Sequence, residues 1–334
     1  MSKMRELVEK MRQNRTKLTV FNVIRQRGKA TAPEIASAVE FSKPTVLRYL
    51  NELVEEGLII EQGQAESSIG KPPKLFGIKA SAAFSVGIDF GAPDLTFALI
   101  DLAKNIIDRK SVPTKLDESP STTARRIAEG IKEIIQANKI SLENQILGAA
   151  VGVPCRIDRE TDLVLPIPRL PHWENVPLKA IIQRDIDLPV HVEVGTRLMV
   201  LGEKIFGGEE WIKNMLYIHI REGIGMGAFL DGKLFEGSEK GARGIGHTIV
   251  SSEGKECICG RRGCLEVFAS EHAILEAAQM QMKEKLTTQT LFTAVREGDT
   301  MTQKTVGEAL DYLAIAIVNV AELFNPELIV LGGN

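Results

Sequence analysis

The 334-residue sequence predicts an α/β protein that carries a small α+β unit at its N-terminus. Three observations predict it. Residues 1–80 show three short stretches of helical hydrophobic spacing and then two strand-like stretches around a Gly/Ser/Pro loop. The remainder mixes strand-length apolar runs with longer helical ones, the pattern of α/β layers. Charge divides at the same place: residues 1–80 hold 14 Lys+Arg against 9 Asp+Glu, a net of +5, and the rest holds 27 against 35, a net of −8. A basic end on an acidic body suggests that the end meets a polyanion. At roughly 100–200 residues per domain the length allows two or three domains. With 44% hydrophobic and 25% charged residues, disordered and collagenous classes are excluded. No apolar run approaches the ~20 residues of a spanning helix, and the start is too charged for a secretory signal, so a cytoplasmic protein with no membrane partner is expected.

In the N-terminal unit, Thr16 is the expected cap of a helix carrying Leu18, Phe21 and Ile24, which Gly28 ends. Thr31 opens a second helix with Pro33 just inside it and Ile35, Ala36 and Val39 facing inward. Ser42 caps a third, Lys43–Glu56, with Val46, Leu47, Leu50 and Leu53 as its apolar stripe and Gly57 as its stop. Strands follow at Leu58–Gln62 and Leu75–Ile78, around the loop Gly63–Pro73. Helix, helix, tight turn, helix and hairpin is the winged helix-turn-helix plan. The third helix leaves Lys43, Thr45, Arg48 and Tyr49 outside the stripe, where they can reach phosphates and base edges in a major groove, and Ser42 with the helix N-terminus can hold a phosphate. In the wing, Gly70 beside Lys71, Pro72, Pro73 and Lys74 suits a narrow A·T-rich minor groove. The DNA-binding set is therefore Ser42, Lys43, Thr45, Arg48, Tyr49, Lys71 and Pro72.

Past a connector at 77–84, strands are expected at Phe84–Phe90, Leu95–Asp101, Lys104–Arg109, Ile146–Val151 and Val190–Val194, with a helix over Thr122–Asn138. A second unit begins near Asn214, with strands Leu216–Ile220, Met226–Leu230 and Leu328–Leu331 and long helices after Ser270 and Thr302. The expected division is 1–80, 81–200 and 201–334. Within the last segment Cys257, Cys259 and Cys264 stand at C-x-C-x4-C, with His247 ten residues upstream. Three thiolates and an imidazole are the soft and borderline donors that tetrahedral Zn²⁺ takes. With four protein ligands no position is left for water, so the ion is structural. Cys155 stands alone.

The winged helix, V-G-I-D-F-G, G-V-P, L-P-H-W, G-I-G-M-G, G-I-G-H, C-x-C-G-x-x-G-C-x-E and N-P-E-L-I-V-L-G-G, in this order, closely resemble the ROK family, whose name joins repressors, uncharacterised reading frames and sugar kinases. The resemblance implies an actin-like, hexokinase-like (ribonuclease H-like) body of two α/β lobes with a sugar cleft between them, and a winged helix-turn-helix in the repressor branch. It also implies the zinc site at His247, Cys257, Cys259 and Cys264. Family kinases read the first phosphate loop as D-x-G-G-T-K; here Asp89, Phe90 and Gly91 are followed by Ala92, Pro93 and Asp94. The catalytic aspartate of the family's E-N-D-A-N falls on Gly195 within Glu193–Arg197, so no carboxylate stands at the base position. The second phosphate loop, G-T-G-I-G, is Arg221–Gly225 and loses its first two small residues. Phosphoryl transfer depends on positioning and charge neutralisation, so no enzyme activity is expected.

From the family's sugar contacts His247 and Glu266 remain, whereas Arg169 replaces an asparagine, Arg197 replaces an amide, and the glutamate of the family's G-E-I-G-H is replaced in Arg243-Gly244-Ile245-Gly246-His247. With Glu193, the expected effector set is Arg169, Glu193, Arg197, His247 and Glu266. Guanidiniums where amides stood point to an anionic sugar acid or sugar phosphate. The family continues with further helices where this sequence stops at Asn334, which implies a longer chain or a second lobe without its closing elements. The expectation is a DNA-binding repressor of carbohydrate-related genes. It would read a palindromic operator as a homodimer or dimer of dimers and respond to a small carbohydrate effector. The alternatives are a sugar kinase with an accessory DNA-binding head and a regulator whose cleft is vestigial.

Overall fold

The computed structural model describes residues 3–66, 72–91, 93–167, 170–208, 211–237, 244–282 and 285–333. No helix among them is long and apolar enough to cross a membrane.

The N-terminal head contains α1 (Lys3–Gln13), α2 (Arg15–Arg27), β1 (Lys29–Thr31), α3 (Ala32–Val39), α4 (Lys43–Glu55), β2 (Ile59–Gln64) and β3 (Lys74–Ile78). α2 starts at Asn14, not at Thr16: the Asn14 side chain accepts the Lys17 N–H at 3.1 Å and so caps a free helix donor. α3 and α4 start at the caps read from sequence. Thr31 forms a reciprocal capping box with Glu34, and Ser42 accepts from the Thr45 N–H. Val20, Ile24, Ile35, Val46, Leu50, Leu53 and Leu58 are fully buried in one core. Lys17, nearly buried, ties α2 to α4 through ion pairs to Glu52 at 3.2 Å and Glu56 at 2.6 Å. Two elements were not anticipated. β1 joins the hairpin to make a three-stranded antiparallel sheet, β1-β3-β2. α1 lays Met4, Leu7 and Met11 against the head core, at the i, i+3, i+7 spacing of one helix face.

The first lobe comprises β4 (Phe84–Phe90), β5 (Asp94–Asp101), β6 (Ile106–Pro113), α5 (Pro120–Ala137), β7 (Ile146–Val153), β8 (Ile157–Asp158), β9 (Leu163–Val164), α6 (Leu178–Asp185) and β10 (Val190–Val194). Its sheet runs β10-β7-β4-β5-β6, antiparallel through β4, β5 and β6 and parallel through β4, β7 and β10. The helix α7 (Gly195–Phe206) leads into the second lobe, formed by β11 (Met215–Ile220), β12 (Ile224–Leu230), β13 (Lys233–Leu234), α8 (Glu266–Ala269), α9 (Glu271–Met282), α10 (Thr288–Glu297), α11 (Thr300–Phe324) and β14 (Leu328–Gly332). This sheet runs β13-β12-β11-β14, with β11 and β14 parallel. Numbered within each sheet, the strands run three-two-one-four-five in the first lobe and three-two-one-four in the second, the duplicated ribonuclease H-like topology. The hydrophobic clusters of the two lobes are separate.

The expected boundary at residue 200 falls inside α7, which is continuous and packs on β7 and β10 on one side and on β11 and β12 on the other. Gly227 makes that contact close: a Cβ there would lie 2.1 Å from the Thr196 carbonyl oxygen. The head also rests on the body. Arg5 Nε donates to the Ile146 carbonyl at 3.0 Å, and Leu102 and Ala103, in the turn between β5 and β6, pack against the head core.

Candidate functional site

The exposed face of α4 carries Ser42, Lys43, Leu47 and Arg48, with Thr45 half-buried. The true apolar stripe is Val46, Tyr49, Leu50 and Leu53, the i, i+3, i+4, i+7 set of a single helix face. Two expectations are thereby exchanged. Tyr49 is 8% exposed and belongs to the head core, whereas Leu47 is 39% exposed and stands among the candidate groove residues. Tyr49 keeps a secondary part, because the Arg48 guanidinium lies 4.4 Å from its ring centroid and is steadied there by a cation–π contact. The Ser42 and Thr45 hydroxyls lie 2.8 Å apart at the helix start. In the wing Pro72 is half-buried and Lys74 pairs with Glu61 at 2.7 Å; Lys71 lies outside the described residues.

In the second lobe, the ligand atoms of His247, Cys257, Cys259 and Cys264 all lie within 4.8 Å of one another. His247 Nδ1 is 3.4 Å from Cys257 Sγ, and Cys259 Sγ is 3.6 Å from Cys264 Sγ. Tetrahedral Zn²⁺ with bonds of about 2.3 Å to sulfur and 2.0–2.1 Å to nitrogen separates its ligands by about 3.5–3.8 Å, so the cluster has the size of one coordination shell. The loop closes on itself through Cys257 N–H to Arg261 O at 2.7 Å and Gly260 N–H to Cys257 O at 2.8 Å. Gly263, at φ +77°, passes so near Ser251 that a Cβ would sit 1.8 Å from its carbonyl oxygen. Burial pushes the Cys264 thiol up to about 12. Burial likewise raises the isolated Cys155 thiol to about 12.

Where β10 runs into α7, Glu193 and Arg197 are both buried. Both Glu193 oxygens are engaged: Oε1 accepts the Val194 N–H at 2.8 Å, Arg159 Nη2 donates to Oε2 at 3.0 Å, and Arg197 Nη1 donates to Oε1 at 3.3 Å. Glu193 therefore holds the two arginines and has no oxygen left over for a ligand, which alters the part expected of it. Glu266, at the start of α8, accepts the Ile224 N–H at 3.1 Å and so braces the second phosphate loop from the side of the cysteine loop. Arg169 lies outside the described residues, as does Arg243.

The two segments that the resemblance aligns with phosphate loops, residues 89–94 and 221–225, are held by hydrogen bonds. Thr114 donates its hydroxyl to Gly91 O at 2.6 Å and its N–H to Pro93 O at 2.7 Å. Arg221 N–H donates to Gly223 O at 2.9 Å. Burial raises the Asp89 carboxyl above the usual range, opposed by the nearby Arg221 guanidinium, and burial lowers the His219 imidazole, with Arg221 adding to the effect. Residue 195 is a glycine at the head of α7, so the position expected from the family resemblance to hold the general base carries no titratable group.

Comparisons with known proteins agree with this geometry. The ROK family model matches residues 85–334, and a winged helix-turn-helix DNA-binding model matches residues 13–60. The chain is 30% identical to the xylose repressor of Caldicellulosiruptor bescii, over 95% of this chain and 82% of that protein. It is 30% identical to the glucokinase of Thermotoga maritima, over 74% of this chain and 81% of that enzyme. Among solved structures, a ROK family transcriptional regulator described as a homologue of the E. coli MLC protein superposes with a TM-score of 0.79 at 27% identity, covering 95% of this chain and 82% of that one. The ROK hexokinase of Thermus thermophilus superposes with a TM-score of 0.64 at 25% identity over 75% of this chain and 82% of that one. The kinases match the body, while the repressors match head and body together. With a winged helix-turn-helix head on a duplicated α/β body, this chain belongs to the ROK family.

Proposed function

We propose that the protein is a carbohydrate-responsive transcriptional repressor without kinase activity. The carrying observation is the pairing of a DNA-reading head with a sugar-kinase body whose general-base position is Gly195. Lys43, Leu47 and Arg48, with the helix N-terminus at Ser42, form the face that enters the major groove, and the wing with Lys71 and Pro72 meets the adjacent minor groove. His247, Glu266 and Arg197 border the effector cleft, Arg169 is assigned to it from the sequence alone, and His247 shares its ring with a structural Zn²⁺ held by Cys257, Cys259 and Cys264. Two copies read an inverted repeat. The xylose repressors among the relatives support a sugar effector.

The route from cleft to head runs along α7. Its N-terminus carries Arg197 in the cleft, and its far end presents the Ile205 carbonyl, which accepts from Lys104 Nζ at 3.3 Å. Lys104 adopts φ +74° in the β5–β6 turn, the turn whose Leu102 and Ala103 pack on the head. An effector that moves α7 relative to the first lobe changes the seat of the head, and its differential affinity for the two arrangements supplies the switch. Replacing Lys104 with alanine is expected to leave effector affinity within about twofold while DNA binding loses its effector response. Paired effector titrations with and without labelled operator would show this, and an undiminished response would reject the route.

The function is tested by selecting duplexes from a randomised pool with the dialysed protein at near-physiological salt, where non-specific phosphate attraction is weak. Recovery of an inverted repeat is the expected result; uniform recovery would overturn the repressor reading. On the selected operator, Arg48→Ala should cost about 1–3 kcal/mol, about 5- to 150-fold in Kd, and relax specificity at one base pair per half-site. A loss that is uniform across sequences would assign Arg48 to phosphate instead. ATP consumption with a panel of sugars should stay at background.

A further inference from the structure

Four charged side chains meet at the lobe junction. Arg159 comes from the turn between β8 and β9, Glu193 from the end of β10, Arg197 from the first turn of α7, and Glu236 from the second lobe just after β13. Glu193 is spent on the two arginines, as described above. Arg197, with its side chain only 9% exposed, is then satisfied at Nη1 alone. Its Nε and Nη2 are buried and have no hydrogen-bond partner among the described residues. The nearest acid is Glu236, whose Oε1 stands 3.6 Å from Arg197 Nη2 and whose Oε2 reaches Arg159 Nη1 at 3.4 Å. Both distances are long for charge-assisted bonds, and the Glu236 side chain is 62% exposed.

The two orphaned atoms are the informative ones. Nε and Nη2 lie on the same edge of a guanidinium and present parallel N–H vectors, the side-on fork that accepts both oxygens of a carboxylate or two oxygens of a phosphate. A buried guanidinium edge left unpaired is rare in a folded protein. The second feature is α7 itself, twelve residues long with Val194 at its N-cap and no side-chain cap; Glu193 Oε1 takes the Val194 N–H at 2.8 Å, and the helix's positive end faces the same corner. The third is Gly195, which adds no side chain at this corner.

Building on the carbohydrate-effector reading, we propose that the Nε/Nη2 edge of Arg197, with Arg159 Nη1 and the N-terminus of α7, is an anion subsite of the cleft, and that the effector is an acidic sugar whose carboxylate or phosphate ester displaces Glu236. Glu236 acts as an internal stand-in for that anion. Because it belongs to the second lobe and the arginines to the first and to α7, exchange of Glu236 for a ligand anion also changes the tie between lobes. The sign of the charge thus becomes the basis of selection: an uncharged sugar leaves the edge unpaired and gains nothing from it.

The test is calorimetric titration of the full chain with D-glucuronate, D-glucose 6-phosphate, D-glucose, D-xylose and inorganic phosphate, with thermal unfolding alongside. At least one acidic sugar should bind tenfold or more tighter than its neutral parent and tighter than inorganic phosphate. The glucuronate and 6-phosphate arms decide between carboxylate and phosphate. Arg197→Gln should abolish that preference, and Arg197→Lys should not restore it, since an ammonium lacks the parallel donors. Glu236→Gln, at an exposed position with no part in folding the core, should tighten acidic sugars several-fold by removing the internal competitor. That variant keeps the proposal testable if the Arg197 variants fail to fold. Binding of D-xylose or D-glucose with no gain for the acids, or an unchanged acid affinity in Glu236→Gln, would overturn the anion subsite and leave the carbohydrate reading standing. Failure of every sugar to bind while operator selection succeeds would overturn both.

Discussion

Cys264→Ser should strip the metal from the second lobe and deform the cleft while leaving the DNA-binding head folded. Structural Zn²⁺ contributes about 10–16 kcal/mol in zinc-finger peptides, so an equal share for one ligand of four is about 2.5–4 kcal/mol. Apart from a metal, the segment is held by scattered backbone bonds such as Val250 N–H to Gly263 O and Leu265 N–H to Thr248 O, both at 2.9 Å. Between the short helical turn at Ile245–His247 and the start of α8 at Glu266 the chain has no regular element beyond isolated bridges such as Ile249 with Cys264 and Glu256 with Arg262. Cys264 is fully buried and stands two residues before Glu266, whose carboxylate braces the Ile224 N–H. Losing the thiolate therefore releases the metal loop and Glu266 together. The head keeps its own core, built from α1–α4 and the hairpin. Two measurements check this: zinc content after dialysis against a chelator, and effector-free operator binding. The expected result is loss of zinc and of effector binding, with DNA affinity within a few-fold of wild type. Retention of one zinc per chain would reject Cys264 as a ligand.

Trp173→Ala is expected to produce the largest loss of stability outside the metal site, about 3–5 kcal/mol. Trp173 is 1% exposed and leads the largest fully buried side chains of the protein. Its ring meets Phe90, at the end of β4, with centroids 4.9 Å apart and planes tilted by 47°. Its carbonyl accepts the Ile167 N–H at 3.2 Å, and the Val176 N–H donates to Val164 at 2.9 Å, so the segment after β9 is pinned over the sheet by one aromatic plug and a few backbone bonds. A cavity of indole size cannot be refilled from a rigid strand end. Against a total of about 5–15 kcal/mol for an ordinary domain, such a loss is a large fraction. Denaturant unfolding should show a lower midpoint for the body, and Trp173→Phe should recover part of it. A shift below about 1 kcal/mol would mean that the plug is not closely packed.

Most elements were readable from local signals. Thr31 and Ser42 announce their helices because a side-chain oxygen three residues ahead of a free N–H needs nothing beyond its own turn. The strands Phe84–Phe90 and Val190–Val194 begin and end where their apolar runs do. The metal cluster was readable because four donors of one chemical character within a short loop leave few alternatives. The exchange of Tyr49 and Leu47 was also within reach: a strict i, i+3, i+4, i+7 count assigns Tyr49 inward, and treating every leucine as core obscured it. α1 had the same spacing in Met4, Leu7 and Met11, hidden by its charge.

By itself the sequence determined the head, the two α/β units, the His/Cys3 donor cluster and the absence of a carboxylate at position 195. All of these depend on residue type and short-range period. Tertiary structure decided what depends on meeting across the chain: that α7 crosses the boundary at 200 and bridges both sheets, that the β5–β6 turn touches the head on one side and Ile205 on the other, and that Glu193 is consumed by Arg159 and Arg197. Whether a charged side chain is a ligand or the partner of another charge is set by which distant residue stands within about 3–4 Å, and sequence spacing carries no information on that distance. The unpaired edge of Arg197 is such a fact: its residue type was visible at once, and its unsatisfied N–H groups became visible only when the lobes came together.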